Sequence, residues 1–259
     1  MAVLQVKLSS ASLLRSVPVT VILPVDKVAL PGMPYQDPRP FKTLYLLHGM
    51  FGDQEDWIQY TNIRRYAEEH DLCVVCPYGE NRFYTDQPKE FARYGQFIGE
   101  ELVELTRKMF PLSTKREDTW IGGLSMGGYG ALRNGLKYHK TFGRICSLST
   151  ANLAADLEKL QEEAPFPLMD KRFVESLMGT LDTIPQSDNS IEWLAADLAG
   201  KKVDLPSVYL ACGLSDPFLE GVRKLRDLLL QLGYPVTYDE RPGGHEWDFW
   251  DAEIKEFLG

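Results

Sequence analysis

The run Ile121-Gly122-Gly123-Leu124-Ser125-Met126-Gly127-Gly128-Tyr129-Gly130 leaves few folds open to this chain. It follows Asp118-Thr119-Trp120-Ile121, which has strand character, and runs into Ala131 to Tyr138, which has helical spacing. Inside it, Gly123-x-Ser125-x-Gly127 is a G-x-S-x-G pattern in strand-turn-helix context, the arrangement called a nucleophile elbow. A turn this sharp strains its central residue and leaves no room for side chains two positions away, so glycine is required there. The serine hydroxyl then projects from the tip, and the helix behind it aims backbone N–H groups at the same point. The pattern alone also fits an ordinary glycine-rich turn. A base, an acid and an oxyanion donor must come from elsewhere in the chain.

Strands alternate with helices around this turn. Leu4 to Leu8 and Val17 to Leu23 alternate as strands, and Thr43 to Leu47, Leu72 to Cys76, Arg144 to Ser149, Ser207 to Gly213 and Val236 to Glu240 continue the series. Asn62 to Glu69 reads as a helix. Phe91 to Phe110 reads as a long one, with an apolar stripe at Phe91, Tyr94, Ile98, Leu102, Leu105 and Met109. Pro24 to Pro40 is a loop with turns at Pro31-Gly32 and Asp37-Pro38. The order specifies an α/β fold, a mostly parallel sheet flanked by helices. A length of 259 residues fits one such domain, 1–259. Residues 151–205 are polar, broken by Pro165, Pro167, Gly179 and Pro185, and helical in pieces (Leu153 to Gln161, Lys171 to Met178, Ser190 to Leu198). Lying between two core strands, they are placed to act as a cap over the strand ends, though plain crossover helices would look the same.

The strand Thr43 to Leu47 ends in His48-Gly49-Met50-Phe51-Gly52. In serine hydrolases of this architecture such a loop gives a backbone N–H to the oxyanion hole. That N–H is assigned to Met50, with Phe51 second, and its partner to Met126 behind the serine. His48 reads as a packed histidine that shapes the loop, and His70 and His139 also read as structural. Tyr84, in the loop after Leu72 to Cys76, is a candidate wall of the pocket, since ligand crevices lie outside strand ends. Asp216, in Leu214-Ser215-Asp216-Pro217-Phe218, suits a helix N-cap. It also sits on the strand-end loop where the acid of a hydrolase triad belongs. His245 lies in Gly243-Gly244-His245-Glu246-Trp247 after the last strand, where no packing stripe claims it. Ser125, Asp216 and His245 stand in the chain order of this fold. Imidazole can take the serine proton near neutral pH, and a carboxylate fixes its tautomer.

Charge and cysteines narrow the partners. A net charge of −9 without a basic stripe argues against nucleic acid. No apolar run approaches the roughly 20 residues of a membrane span. The first residues, Met1 to Lys7, read as a strand rather than a signal peptide, so a cytoplasmic location is the expectation. Cys73-Val74-Val75-Cys76 has C-x-x-C spacing, but residues three apart on a strand face opposite ways, so core packing is the reading for both. No metal or other cofactor is called for, and a homo-oligomer is compatible with the sequence.

Leu44-Tyr45-Leu46-Leu47-His48-Gly49-Met50, Gly123-Leu124-Ser125-Met126-Gly127-Gly128-Tyr129-Gly130 and His245-Glu246-Trp247 resemble the tributyrin esterase branch of the esterase D family. That family also holds S-formylglutathione hydrolases, feruloyl and acetyl-xylan esterases, and mycolyltransferases. The resemblance runs from about the second strand to the last helix and is weakest in 151–205. It implies an α/β-hydrolase fold and hydrolysis of small-molecule, short-chain acyl esters through an acyl-enzyme, with Trp247 near the substrate. The alternatives are a feruloyl or acetyl-xylan esterase, an acyltransferase, and a catalytically silent binding module.

Overall fold

The computed structural model describes residues 1–27, 39–87 and 90–259; the turns expected at Pro31-Gly32 and Asp37-Pro38 lie outside the described residues. The strands are β1 (Ala2–Ser10), β2 (Arg15–Leu23), β3 (Lys42–Leu47), β4 (Leu72–Pro77), β5 (Asp86–Gln87), β6 (Ala92–Arg93), β7 (Thr119–Leu124), β8 (Arg144–Leu148), β9 (Ser207–Gly213) and β10 (Val236–Arg241). Eight of them form one sheet in the order β1-β2-β4-β3-β7-β8-β9-β10. The hairpin β1-β2 and the contact of β2 with β4 are antiparallel; every later pairing in the sheet is parallel. This is the mostly parallel sheet that the alternation of elements specified, in the α/β-hydrolase architecture that the family resemblance implied.

Covered faces explain the composition of the central strands. β4 and β7 are buried along their whole length, as parallel strands between helices must be. Successive residues feed opposite sides: Tyr45 and Leu47 join the larger core cluster, Leu44 and Leu46 the smaller. Cys73 and Cys76 divide the same way, as expected for packing residues. Burial pushes both thiols well above their ordinary range, so neither is a thiolate.

The helices are α1 (Asp56–Tyr60), α2 (Ile63–Glu69), α3 (Tyr94–Gln96), α4 (Leu102–Met109), α5 (Met126–Lys137), α6 (Lys171–Met178), α7 (Ile191–Gly200), α8 (Leu219–Gln231) and α9 (Trp247–Leu258). Two expected helices are corrected. The run Phe91 to Phe110 starts late: Ala92 pairs with Gln87 in the β5-β6 ribbon, and Phe91 has φ +53° and is 61% exposed. Helical backbone begins at Tyr94, and a π-turn over Phe97–Glu101 joins α3 to α4. The stripe is buried at Tyr94, Ile98 and Leu102 and fails at Phe91 and Met109. Likewise Leu153 to Gln161 holds only a 3-10 turn, Leu157–Lys159. A nine-residue helix is marginal without packing on both turns. Here Gln161 is drawn instead into a bridge with Asp170, its N–H bonding Met169 O at 2.9 Å. α6 and α7 form where expected.

Candidate active site

Ser125 sits between β7 and α5 with φ +54° and ψ −117°, a conformation that costs a non-glycine residue about 1–3 kcal/mol. Three main-chain bonds hold it there: Ser125 N–H to Leu148 O at 2.8 Å, and Tyr129 and Ala151 N–H to Ser125 O at 3.0 and 3.2 Å. The turn also needs the glycine that follows. A Cβ on Gly127 would lie 2.5 Å from Leu47 O and 2.6 Å from His48 O, so α5 could not start against the end of β3. Glycine at that position brings the elbow and the His48-Gly49-Met50 loop together.

That loop is built around a buried histidine. His48 Nδ1–H donates to Gly49 O at 2.7 Å, and Nε2 accepts from Gly79 N–H at 2.9 Å, which fixes the tautomer. Burial lowers its pKa from 6.5 to about 4, so His48 is a neutral brace between the ends of β3 and β4. The structural reading of this residue stands. Tyr84 is the correction. It is fully buried, donates its hydroxyl to His48 O at 3.0 Å and packs against Gly79 and Gly130. It supports the loop from beneath and is not among the residues lining the cleft. Phe51 N–H donates to Asn81 Oδ1 at 2.9 Å and is engaged. Among the described hydrogen bonds, the Met50 and Met126 N–H groups have no protein acceptor.

The brace carries a pH signature. The unfolded chain protonates this imidazole near 6.5, whereas the folded chain resists until about 4. Its contribution to stability is therefore complete above pH 6.5 and lost as pH falls through that window, up to about 3 kcal/mol in all. Thermal melts between pH 7 and 4 should show the slope. A His48→Asn chain, less stable throughout, should lack that part of it.

Asp216 and His245 come together because two strand-end loops zip side by side. Leu214 N–H bonds Arg241 O at 3.0 Å and Ser215 N–H bonds Gly243 O at 2.9 Å. Contact is so close that a Cβ on Gly213 would meet Gly243 O at 2.4 Å. His245 Nδ1–H then donates to Asp216 Oδ2 at 2.9 Å, while Asp216 Oδ1 accepts Phe218 N–H at 2.9 Å. Asp216 is thus both the expected carboxylate partner and a cap of the turn into α8. Its side chain is fully buried, which alone would raise its pKa, but the bonds from His245 and Phe218 help bring it below the usual aspartate value. An imidazole oriented by a buried carboxylate, with its Nε2 making no hydrogen bond among the described residues, is the arrangement that activates a hydroxyl.

Ser125, His245 and Met50 open on one cleft of about 1360 Å³. Ala151, Leu153, Leu160, Leu168 and Met169 line it from the 151–170 segment. Trp247 lines it too, stacked on Tyr60 with ring centroids 5.0 Å apart. Sequence reasoning passed over three buried residues: Ser149 and Trp250, joined by an indole N–H to hydroxyl bond of 3.0 Å, and Arg133 of α5. Trp250 looks like any core aromatic of the last helix, and only Arg133 carried a signal, a charge on an otherwise buried face.

Fold and cleft together define a serine ester hydrolase. The chain belongs to the Esterase family, whose model it matches over residues 10–259. It is 39% identical to an acetyl esterase of Caldicellulosiruptor saccharolyticus over 257 residues, 98% of this chain and 96% of the relative. Its fold is similar to the S-formylglutathione hydrolase of Staphylococcus aureus, with TM-score 0.83 and 28% identity over 99% of this chain and 97% of that one. The substrate-bound fluorophosphonate-binding serine hydrolase F of Staphylococcus aureus gives TM-score 0.84 and 29% identity, over 99% and 96% of the two chains. The enzyme is a serine carboxylesterase, and its substrate is a small-molecule ester. No helix among the described residues is long and apolar enough to cross a membrane.

Proposed function

We propose that the enzyme hydrolyses short-chain acyl esters through an acyl-enzyme on Ser125, with His245 as general base and Asp216 as the acid that orients it. The observation that carries this reading is the 2.9 Å bond from His245 to the buried Asp216, beside a cleft that Ser125 also lines. Ser125 Oγ attacks the ester carbonyl as its proton passes to His245 Nε2. The Met50 and Met126 N–H groups hold the oxyanion, worth roughly 3–4 kcal/mol each. Collapse breaks the bond to the alcohol, which leaves with the proton from His245. Water then repeats the sequence on the acyl-enzyme, and the carboxylic acid departs.

Residues 151–205 act as a cap within the one domain. Their apolar side chains at Leu153, Leu160, Leu168 and Met169 line the cleft, as do the stacked rings of Trp247 and Tyr60. The cap is tied to the elbow helix where Tyr129 Oη donates to Asn189 O at 2.6 Å. Support for a short acyl group comes from the 39% identical relative, named for acetyl ester cleavage. On this reading the enzyme acts in the cytoplasm on a diffusible ester.

Hydrolysis of p-nitrophenyl acetate, butyrate and octanoate beside methyl ferulate tests the substrate class. kcat/KM should be highest on acetate or butyrate and fall on octanoate. Dominant cleavage of methyl ferulate would replace this reading with that of a feruloyl esterase.

A further inference from the structure

Ser149, at the end of β8, is fully buried and has φ +49°, the second serine of the site held in the left-handed region. Its N–H bonds Ala211 O at 2.8 Å, which turns the side chain towards the base of the Asp216 loop. Trp250, on the second turn of α9, donates its indole N–H to Ser149 Oγ at 3.0 Å. The same indole meets the His245 ring edge-on, with centroids 4.9 Å apart at 90°, and Phe218 closes on that ring from another side at 5.3 Å. A hydroxyl that accepts from an indole has one proton left to give. The Asp216 carboxylate and the Cys212 thiol both lie against it, and the carboxylate is the charged acceptor of the two.

Building on the triad reading above, we propose that Trp250 and Ser149 are positioning residues for the triad: the indole N–H locks the Ser149 hydroxyl so that it donates to Asp216, while the indole, perpendicular to the imidazole, sets the plane of His245. One side chain thereby fixes both partners of the Asp216–His245 bond. Strain at Ser149 is consistent with such a role, since a residue is kept in that region only where its surroundings over-determine it. The remaining titratable group against the pair is Cys212 of β9. Burial first, and then the charge of Asp216, push its thiol up to about 12, so it stays neutral and adds no competing charge. Glu240 of β10 and Arg223 of α8 act on that thiol from outside. Glu246 is turned away, accepting Gly244 N–H at 2.7 Å.

A donor withdrawn from Asp216 concentrates negative charge on the oxygen facing His245 and so favours the imidazolium. Trp250→Phe leaves an aromatic ring at the position but removes the N–H together with the rest of the five-membered ring; Ser149→Ala removes the hydroxyl alone. Each is expected to lower kcat on p-nitrophenyl acetate about ten-fold with KM within about two-fold. The acid limb of the kcat/KM profile should move to higher pH by about half a unit to one unit. The double variant should be no worse than the more damaged single, because both changes cut the same relay. An unmoved acid limb in Trp250→Phe, or losses that multiply in the double variant, would overturn the proposal. Should Ser149→Ala fail to fold, the Trp250→Phe profile decides alone. Wild-type turnover that does not depend on Ser125 would instead sink the triad reading, a different outcome from intact turnover that ignores Trp250.

Discussion

Ser125→Ala is expected to lower kcat/KM on short-chain esters by at least about 10⁴-fold, because alanine removes the attacking hydroxyl. The chain should fold as before, since alanine keeps the backbone bonds to Leu148, Tyr129 and Ala151. Ser125→Gly separates strain from chemistry. It too removes the nucleophile, but glycine occupies φ +54° without a Cβ penalty. The glycine variant should therefore be more stable than the alanine one, by up to about 1 kcal/mol, while equally inactive. Kinetics and chemical denaturation on the two variants check both halves. A glycine variant less stable than the alanine one would mean that the elbow stores no strain.

Arg133→Met should be the most damaging single change away from the cleft. Arg133 lies on α5 with a fully buried side chain. Its guanidinium bonds the Asp188 carboxylate at 2.8 Å, Asp86 at 3.3 Å, Asp188 O at 3.0 Å and Asn134 Oδ1 at 2.8 Å. Lys137 joins the same two aspartates. The β5-β6 ribbon and the 151–205 segment are thus both fastened to the helix that follows Ser125. Removing one member of a buried ion network costs about 3–5 kcal/mol. The lower end applies, because Asp188 is 37% exposed and Lys137 remains to share the charge. Burial would raise both aspartate pKa values, but Arg133 and Lys137 hold them below 3.8. Depressed carboxylates contribute stability that is complete above about 3.8 and is lost as pH falls below it. Denaturation of wild type and Arg133→Met at pH 7 and pH 3 should show the gap between them narrowing in acid.

What could be read without coordinates was what the chain marks by pattern. The elbow is legible because only glycine fits beside Ser125, and the strand-end loops are legible because each follows an apolar run. The place of Met50 in the loop favours it over Phe51, and Asn81 occupies the Phe51 N–H. Distances across the fold were illegible. Tyr84 reads as a pocket wall from its loop, yet the gaps at Gly79 and Gly130 draw its ring under the His48 loop. Arg133 meets its partners 47 and 55 positions away, and Trp250 meets Ser149 across 101. Local periodicity holds no trace of such pairings. Where local preference was the guide, tertiary contacts overrode it: Ala92 went to a ribbon and Gln161 to a bridge.

The acyl-enzyme on Ser125 is the central claim, and mass spectrometry of enzyme quenched during turnover of p-nitrophenyl butyrate tests it most directly. The account requires the mass of one butyryl group on the peptide carrying Ser125, present during turnover, gone once the ester is exhausted, and absent from Ser125→Ala. Full turnover with no adduct on that peptide, or with the acyl group on another residue, would contradict it.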